Sequence, residues 1–140
     1  MEADTYTDRQ ELAELLKEML GEPLTEESHG DGSLVMISGD PEEVVVRVAG
    51  NTLTISEYGA RWEGPHIPVV SPRRLATLLW RRVQRASLRM LLEVVIQAAR
   101  EERRRQFRKC SYCQIEHGPE HMHSDDVCHG CAEGQLGVVH

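Results

Sequence analysis

The chain reads as an α+β protein: an N-terminal helix, a three-stranded antiparallel meander, a long helix, and a small C-terminal module holding all four cysteines. Three observations predict this. Leucines recur at helical spacing in residues 8–20, aliphatic residues alternate on both sides of Gly50-Asn51, and no Gly or Pro interrupts residues 73–108. At 140 residues the chain has room for one ordinary domain and an appendage.

Residues 8–20, DRQELAELLKEML, place Leu12, Leu15, Leu16, Met19 and Leu20 on one face of a helix. Thr7 or Asp8 can cap its start, and Gly21 followed by Pro23 ends it. Residues 21–32 are acidic and rich in turn formers, which predicts a loop. Strands are expected over Ser33–Ser38, Glu43–Ala49 and Thr52–Glu57. Gly50-Asn51 suits the positive φ angles of a tight hairpin, and pairing across it sets Val48 opposite Leu53 and Val46 opposite Ile55. Val45, Arg47, Thr54 and Ser56 then share the other face, as in a sheet covered on one side. A short edge strand is expected near Ile67–Val70.

Ser71-Pro72 resembles a helix start, with Ser as N-cap and Pro in the first turn. A helix from there to about Arg108 is expected, with a break near Ala86-Ser87 as the alternative. Its middle stretch, Leu88–Ala99, is apolar on nearly all sides, which predicts burial against the sheet and a homodimer contact. Trp80 and Phe107 are expected in the core or at an interface. The chain then divides into residues 1–108, an α+β domain ending in the Arg-rich helix, and residues 109–140.

Charge is segregated. Residues 1–70 carry a balance of −11, residues 71–109 of +9, and residues 110–140 of −5 without one Lys or Arg. Arg73, Arg74, Arg81, Arg82, Arg85 and Arg89 form one basic group. Arg100, Arg103, Arg104, Arg105, Arg108 and Lys109 form a second and are the candidate nucleic-acid contacts, since a basic stripe suffices to grip phosphates. The same arginines could instead pair with the acidic N-terminal part.

Cys110, Cys113, Cys128 and Cys131 form two C-x-x-C pairs 14 residues apart. Each pair can present two thiolates to one ion, and the intervening loop can close a tetrahedron, which predicts one structural Zn2+. The start, MEADTYTDRQELAELL, has no basic region followed by an apolar one, and no run of about 18 uncharged apolar residues occurs, so a cytoplasmic protein without membrane contact is expected. Reduced cysteines in that compartment favour metal over disulfides.

These residues resemble zinc-ribbon and treble-clef fingers. The resemblance covers about residues 110–140 and implies that the second cysteine pair opens a helix, kept short here by Gly134 and Gly137. A redox dithiol is the rival for each C-x-x-C, and one of His117, His121, His123 or His129 is the rival for a ligand position. His121 and His123 near Asp125-Asp126 offer a second metal site and hence a hydrolase. Val138 and Val139 are candidates to dock the chain end. A closed four-thiolate site leaves no position for chemistry, and no P-loop, Rossmann fingerprint, nucleophile elbow or H-E-x-x-H motif is present. The expected function is therefore a non-enzymatic adaptor or regulator acting through protein contacts, with nucleic-acid binding and a metal-dependent hydrolase as alternatives.

Overall fold

A computed structural model describes residues 4–62 and 68–137. Helix α1 (Arg9–Leu20) starts where Asp8 accepts a hydrogen bond from the Gln10 amide, and it ends at Gly21. Its buried residues, Leu12, Leu15, Leu16 and Leu20, are those the helical spacing selects.

Among the described residues, five strands form the main antiparallel sheet: β1 (Leu24–Ser28), β2 (Leu34–Gly39), β3 (Glu42–Ala49), β4 (Thr52–Glu57) and, after a hairpin of β5 (Ala60–Trp62) and β6 (Pro68–Val70), β7 (Arg73–Leu79). The order is β1-β2-β3-β4-β7. The hairpin register agrees with the sequence: Val46 faces Ile55 and Val48 faces Leu53, while Val45 pairs with Ser56 and Arg47 with Thr54. The expected three-strand meander is thus the centre of a wider sheet, gaining an edge strand on each side.

Both additions correct the sequence reading. The acidic segment 21–32 contains β1, which pairs with β2 from Leu24↔Ser38 to Ser28↔Leu34. The helix does not begin at Pro72. Arg73–Leu79 is a strand paired with β4, a short 3-10 turn follows at Trp80–Arg82, and helix α2 spans Arg85–Arg104. The open edge of β4 can pair its backbone groups only with another strand, and Ala76 and Leu78 opposite Ile55 and Leu53 extend the apolar face. The break thus lies within two residues of Ala86-Ser87, and the first basic group is split between β7, the turn and α2. The expected edge strand exists as β6, paired with β5 instead of the main sheet; Ile67 lies outside the described residues.

Both helices cover one face of the sheet. Leu88, Leu92, Ile96 and Ala99 of α2 join the leucines of α1, Leu34, Met36, Val44, Val46, Val48, Leu53 and Ile55 in one apolar core. Trp80 is fully buried there, and its indole N–H donates to the Gly50 carbonyl at 3.0 Å. The other face is not open throughout: Val45 and Ser56 are also buried, at the end where α2 leaves the sheet. Helix α2 is not buried on all sides either. Met90 and Val94 are 67% and 69% exposed. Among the described residues no helix is long and apolar enough to cross a membrane.

Candidate metal centre

After α2 the chain forms β8 (Arg108–Lys109) and β9 (Glu116–His117), an antiparallel pair whose turn carries the first cysteine pair. Gln114, at φ 62°, turns the chain back so that its amide reaches the Cys110 carbonyl and the Cys110 amide reaches Ile115. A second hairpin of β10 (Met122–Ser124) and β11 (Val127–Cys128) delivers Cys128 to the start of helix α3 (His129–Leu136). The Cys128 sulfur caps that helix, accepting from the Cys131 amide at 3.4 Å. Gly137, in the left-handed region at φ 69°, ends it. The helix opened by the second pair, which the resemblance implies, is therefore present; Val138 and Val139 lie outside the described residues.

The four sulfurs lie within 4.8 Å of one another. Cys113 Sγ and Cys128 Sγ are 3.9 Å apart, close to the ~3.8 Å that a tetrahedron with Zn–S bonds of ~2.3 Å requires. Cys110 and Cys128 are buried and Cys113 and Cys131 half-buried. Among the described residues this is the one group of three or more Cys, His, Asp or Glu side chains placed to hold a metal. No histidine nitrogen belongs to it. His117 Nε2 sits 3.6 Å from Cys113 Sγ, outside the sulfur cluster. His121, His123, Asp125 and Asp126 do not gather into a second such group.

The thiols are unequal. Burial works to raise Cys110, but the backbone N–H groups of Cys113, Cys128 and Tyr112 outweigh it and hold the thiol at about 6. Burial first, then the Cys128, Cys110 and Cys113 sulfurs, push Cys131 up to about 12. For Cys113 the Ile115 amide favours the thiolate, yet burial and the adjoining Cys110 and Cys128 sulfurs leave it raised. Four thiols so crowded cannot all ionise unaided, and a bound cation removes that conflict.

The second arginine group separates into distinct roles. Arg103 is 1% exposed: its guanidinium forms a two-pronged ion pair with Glu120, and its Nε–H donates to the Glu42 carbonyl at 3.0 Å. Tyr58 and Phe107 lie against the same guanidinium. Arg100 donates to the Leu20 carbonyl at 2.6 Å and reaches Glu43. Arg104 pairs with Glu43, and that hydrogen bond raises its pKa. Arg100 and Arg103 are thus withdrawn from any phosphate, while Arg105, Arg108 and Lys109 are exposed.

Three residues that the sequence reading passed over fasten the cysteine segment to the body: Glu120, Gly118 and Trp62. Glu120 supplies the buried carboxylate for Arg103. A Cβ on Gly118 would collide with both partners of that pair. Trp62 donates its indole N–H to the Glu120 carbonyl at 2.8 Å and stacks on His129 at 5.8 Å and 14°. One signal was legible: Glu120 is an acidic residue in a segment with no Lys or Arg, so any ion pair must come from outside it.

The arrangement defines an α+β protein with one four-cysteine cluster clamped to the end of its long helix. No protein-family model matches the chain, and no curated protein or solved structure does either.

Proposed function

We propose that this protein is a non-enzymatic adaptor or regulator whose C-terminal segment is a treble-clef-like finger folded around one structural Zn2+. The observation that carries the reading is the closed sulfur set. All four thiols point at one another, so an ion held by them has no coordination position left for water or substrate. Soft thiolates favour Zn2+ over hard cations. Cys110, Cys113, Cys128 and Cys131 would hold it, and its contribution is folding free energy and a rigid shape.

The metal serves to present a surface. The Arg103–Glu120 pair fastens the finger to the end of α2. The homodimer expected from the sequence would bury Met90, Leu91 and Val94; light scattering at micromolar concentration tests it. Native mass spectrometry of the purified protein should find one zinc per chain, and crosslinking capture should recover a protein partner. A cysteine segment that stays folded without metal, or a chain that captures nucleic acid alone, would remove this reading. The nucleic-acid alternative now rests on Arg105, Arg108 and Lys109, so their replacement by Glu would have to abolish a steeply salt-dependent binding.

A further inference from the structure

The outer edge of β7 and the flank of α2 above it form an apolar strip between two arginine groups. In the described sheet β7 is hydrogen-bonded to β4 alone, so the backbone groups of its other edge face outward. Leu75 and Leu79 are exposed along it. On α2, Leu91 and Ala98 lie seven residues apart on the same side as Glu102, whose carboxylate lies 3.9 Å from Arg73 of β7. That contact identifies the flank overhanging β7. Leu91 is exposed there. The opposite flank is polar and engaged: Arg89 pairs with Glu18 and Arg100 reaches the Leu20 carbonyl.

The two edges of the sheet are built differently. β1 carries Glu26 and Glu27, charges of the kind that guard an edge against pairing. β7 has no charged side chain from Leu75 to Leu79.

Charge selects the occupant. Arg74 near one end of β7 and Arg82 just past the other are exposed and have no carboxylate partner among the described residues. A second copy paired antiparallel through β7 would bring Arg73 and Arg74 of each chain toward Arg81 and Arg82 of the other, an unfavourable meeting of like charges. A strand with carboxylates at both ends meets the same guanidiniums favourably.

We infer, resting on the adaptor reading above, that β7 and the α2 flank receive an extended segment of a partner protein, apolar at alternate positions and acidic at both ends. Such a segment adds a sixth strand through main-chain hydrogen bonds, and its side chains supply specificity. The strand from Arg74 to Leu79 spans about 17 Å at ~3.4 Å per residue, which sets about five or six residues for the apolar core of the segment. One set of alternating side chains packs beneath Leu91. The other lies beside Leu79, on the opposite face.

The test is fluorescence anisotropy of the zinc-loaded full chain with a synthetic fluorescein-labelled peptide of alternating valine and threonine, ending in Asp-Glu on both sides. Saturable binding below about 100 micromolar is expected, and the same core ended in Lys-Lys should bind at least about tenfold more weakly. Arg74→Glu with Arg82→Glu should weaken the acidic peptide by about tenfold or more, and Leu91→Lys likewise, with melting temperatures unchanged. If Leu91→Lys lowers the melting temperature, the exposed arginine pair decides alone. Equal binding of both peptides, no binding, or binding indifferent to the arginine pair would overturn the inference. A dimer by light scattering that Leu91→Lys dissociates, without peptide binding, would assign the strip to a second copy and also overturn it. A captured partner retained by all these variants would reject this surface while leaving the adaptor reading intact.

Discussion

Replacing Glu120 with Ala isolates what fastens the cysteine segment to the body. Arg103 and Glu120 have side chains only 1% and 3% exposed. Removing the carboxylate leaves the guanidinium nitrogens Nη1 and Nη2 buried without their partner, while Nε keeps the Glu42 carbonyl. Breaking one side of such a pair costs about 3–5 kcal/mol, because the remaining charge is neither solvated nor neutralised. With ~2.1 cal/mol/K of unfolding entropy per residue over 140 residues, the melting temperature should fall by about 10–17 °C. Glu120→Gln keeps hydrogen-bond acceptance on one oxygen and should cost less. Arg103→Met with Glu120→Leu should recover much of the loss, since an apolar pair carries no desolvation penalty. Urea unfolding of the zinc-loaded protein, followed by circular dichroism, measures each value. Trp62, hydrogen-bonded to the Glu120 carbonyl and stacked on His129, adds a local readout. A fluorescence change preceding loss of helix would show the segment undocking by itself. A cost below about 1 kcal/mol for Glu120→Ala would refute the reasoning, because a surface pair would give that value.

Chelation should unfold the segment from Cys110 onward while the sheet persists, which proton–nitrogen spectra would show as loss of α3 signals with β3 and β4 signals retained. Cys128→Ser should reduce metal content below one per chain and act like chelation, since Cys128 belongs to the sulfur cluster and also caps α3. Leu92→Ala, fully buried in the core, should cost about 2–5 kcal/mol in urea unfolding. Asp31 is held at about 2 chiefly by hydrogen bonds from the Ser33 hydroxyl and amide. Its folded pKa is depressed, so its stabilising contribution is present above the ordinary value of 3.8 and is lost as pH falls toward 2. Carbon-detected titration should place Asp31 near that value, and Ser33→Ala should raise it.

The fold was legible where one periodicity dominated. The α1 leucines repeat at three and four residues, and Val46, Val48, Leu53 and Ile55 repeat at two, so element and register follow directly. β1 was hidden because Leu24 is its only apolar residue, and an exposed edge strand needs no apolar face. β7 was misread for a sharper reason. Leu75, Leu78 and Leu79 have helical spacing, and Ser71-Pro72 resembles a cap, but Leu75 lies at a bulge between the Ile55 and Ser56 registers. The bulge shifts the alternation by one residue, and that shift imitates the helical pattern. Tertiary pairing with β4 then decides between two local readings that the segment itself leaves nearly equal.

The cysteine cluster was legible because its chemistry is written in spacing. Two short C-x-x-C turns bring sulfurs together through local backbone geometry, and the long loop has only to close. The clamp was not legible, because nothing local relates Arg103 to Glu120 or Trp62 to His129. Arg103 shows how far the distinction reaches. In a run of three arginines, sequence cannot separate the one that is buried from its exposed neighbours, yet helix geometry does so at once. Arg103 falls on the same face as Leu92, Ile96 and Ala99, while Arg104 and Arg105 point away. The residue that continues the core face is the one that needs a buried carboxylate, and the acidic cysteine segment, devoid of Lys and Arg, supplies it. The charge segregation along the chain therefore has a structural use at this point. It lets an acidic module dock on a basic helix end, and it leaves the remaining guanidiniums of β7 and the helix end turned outward.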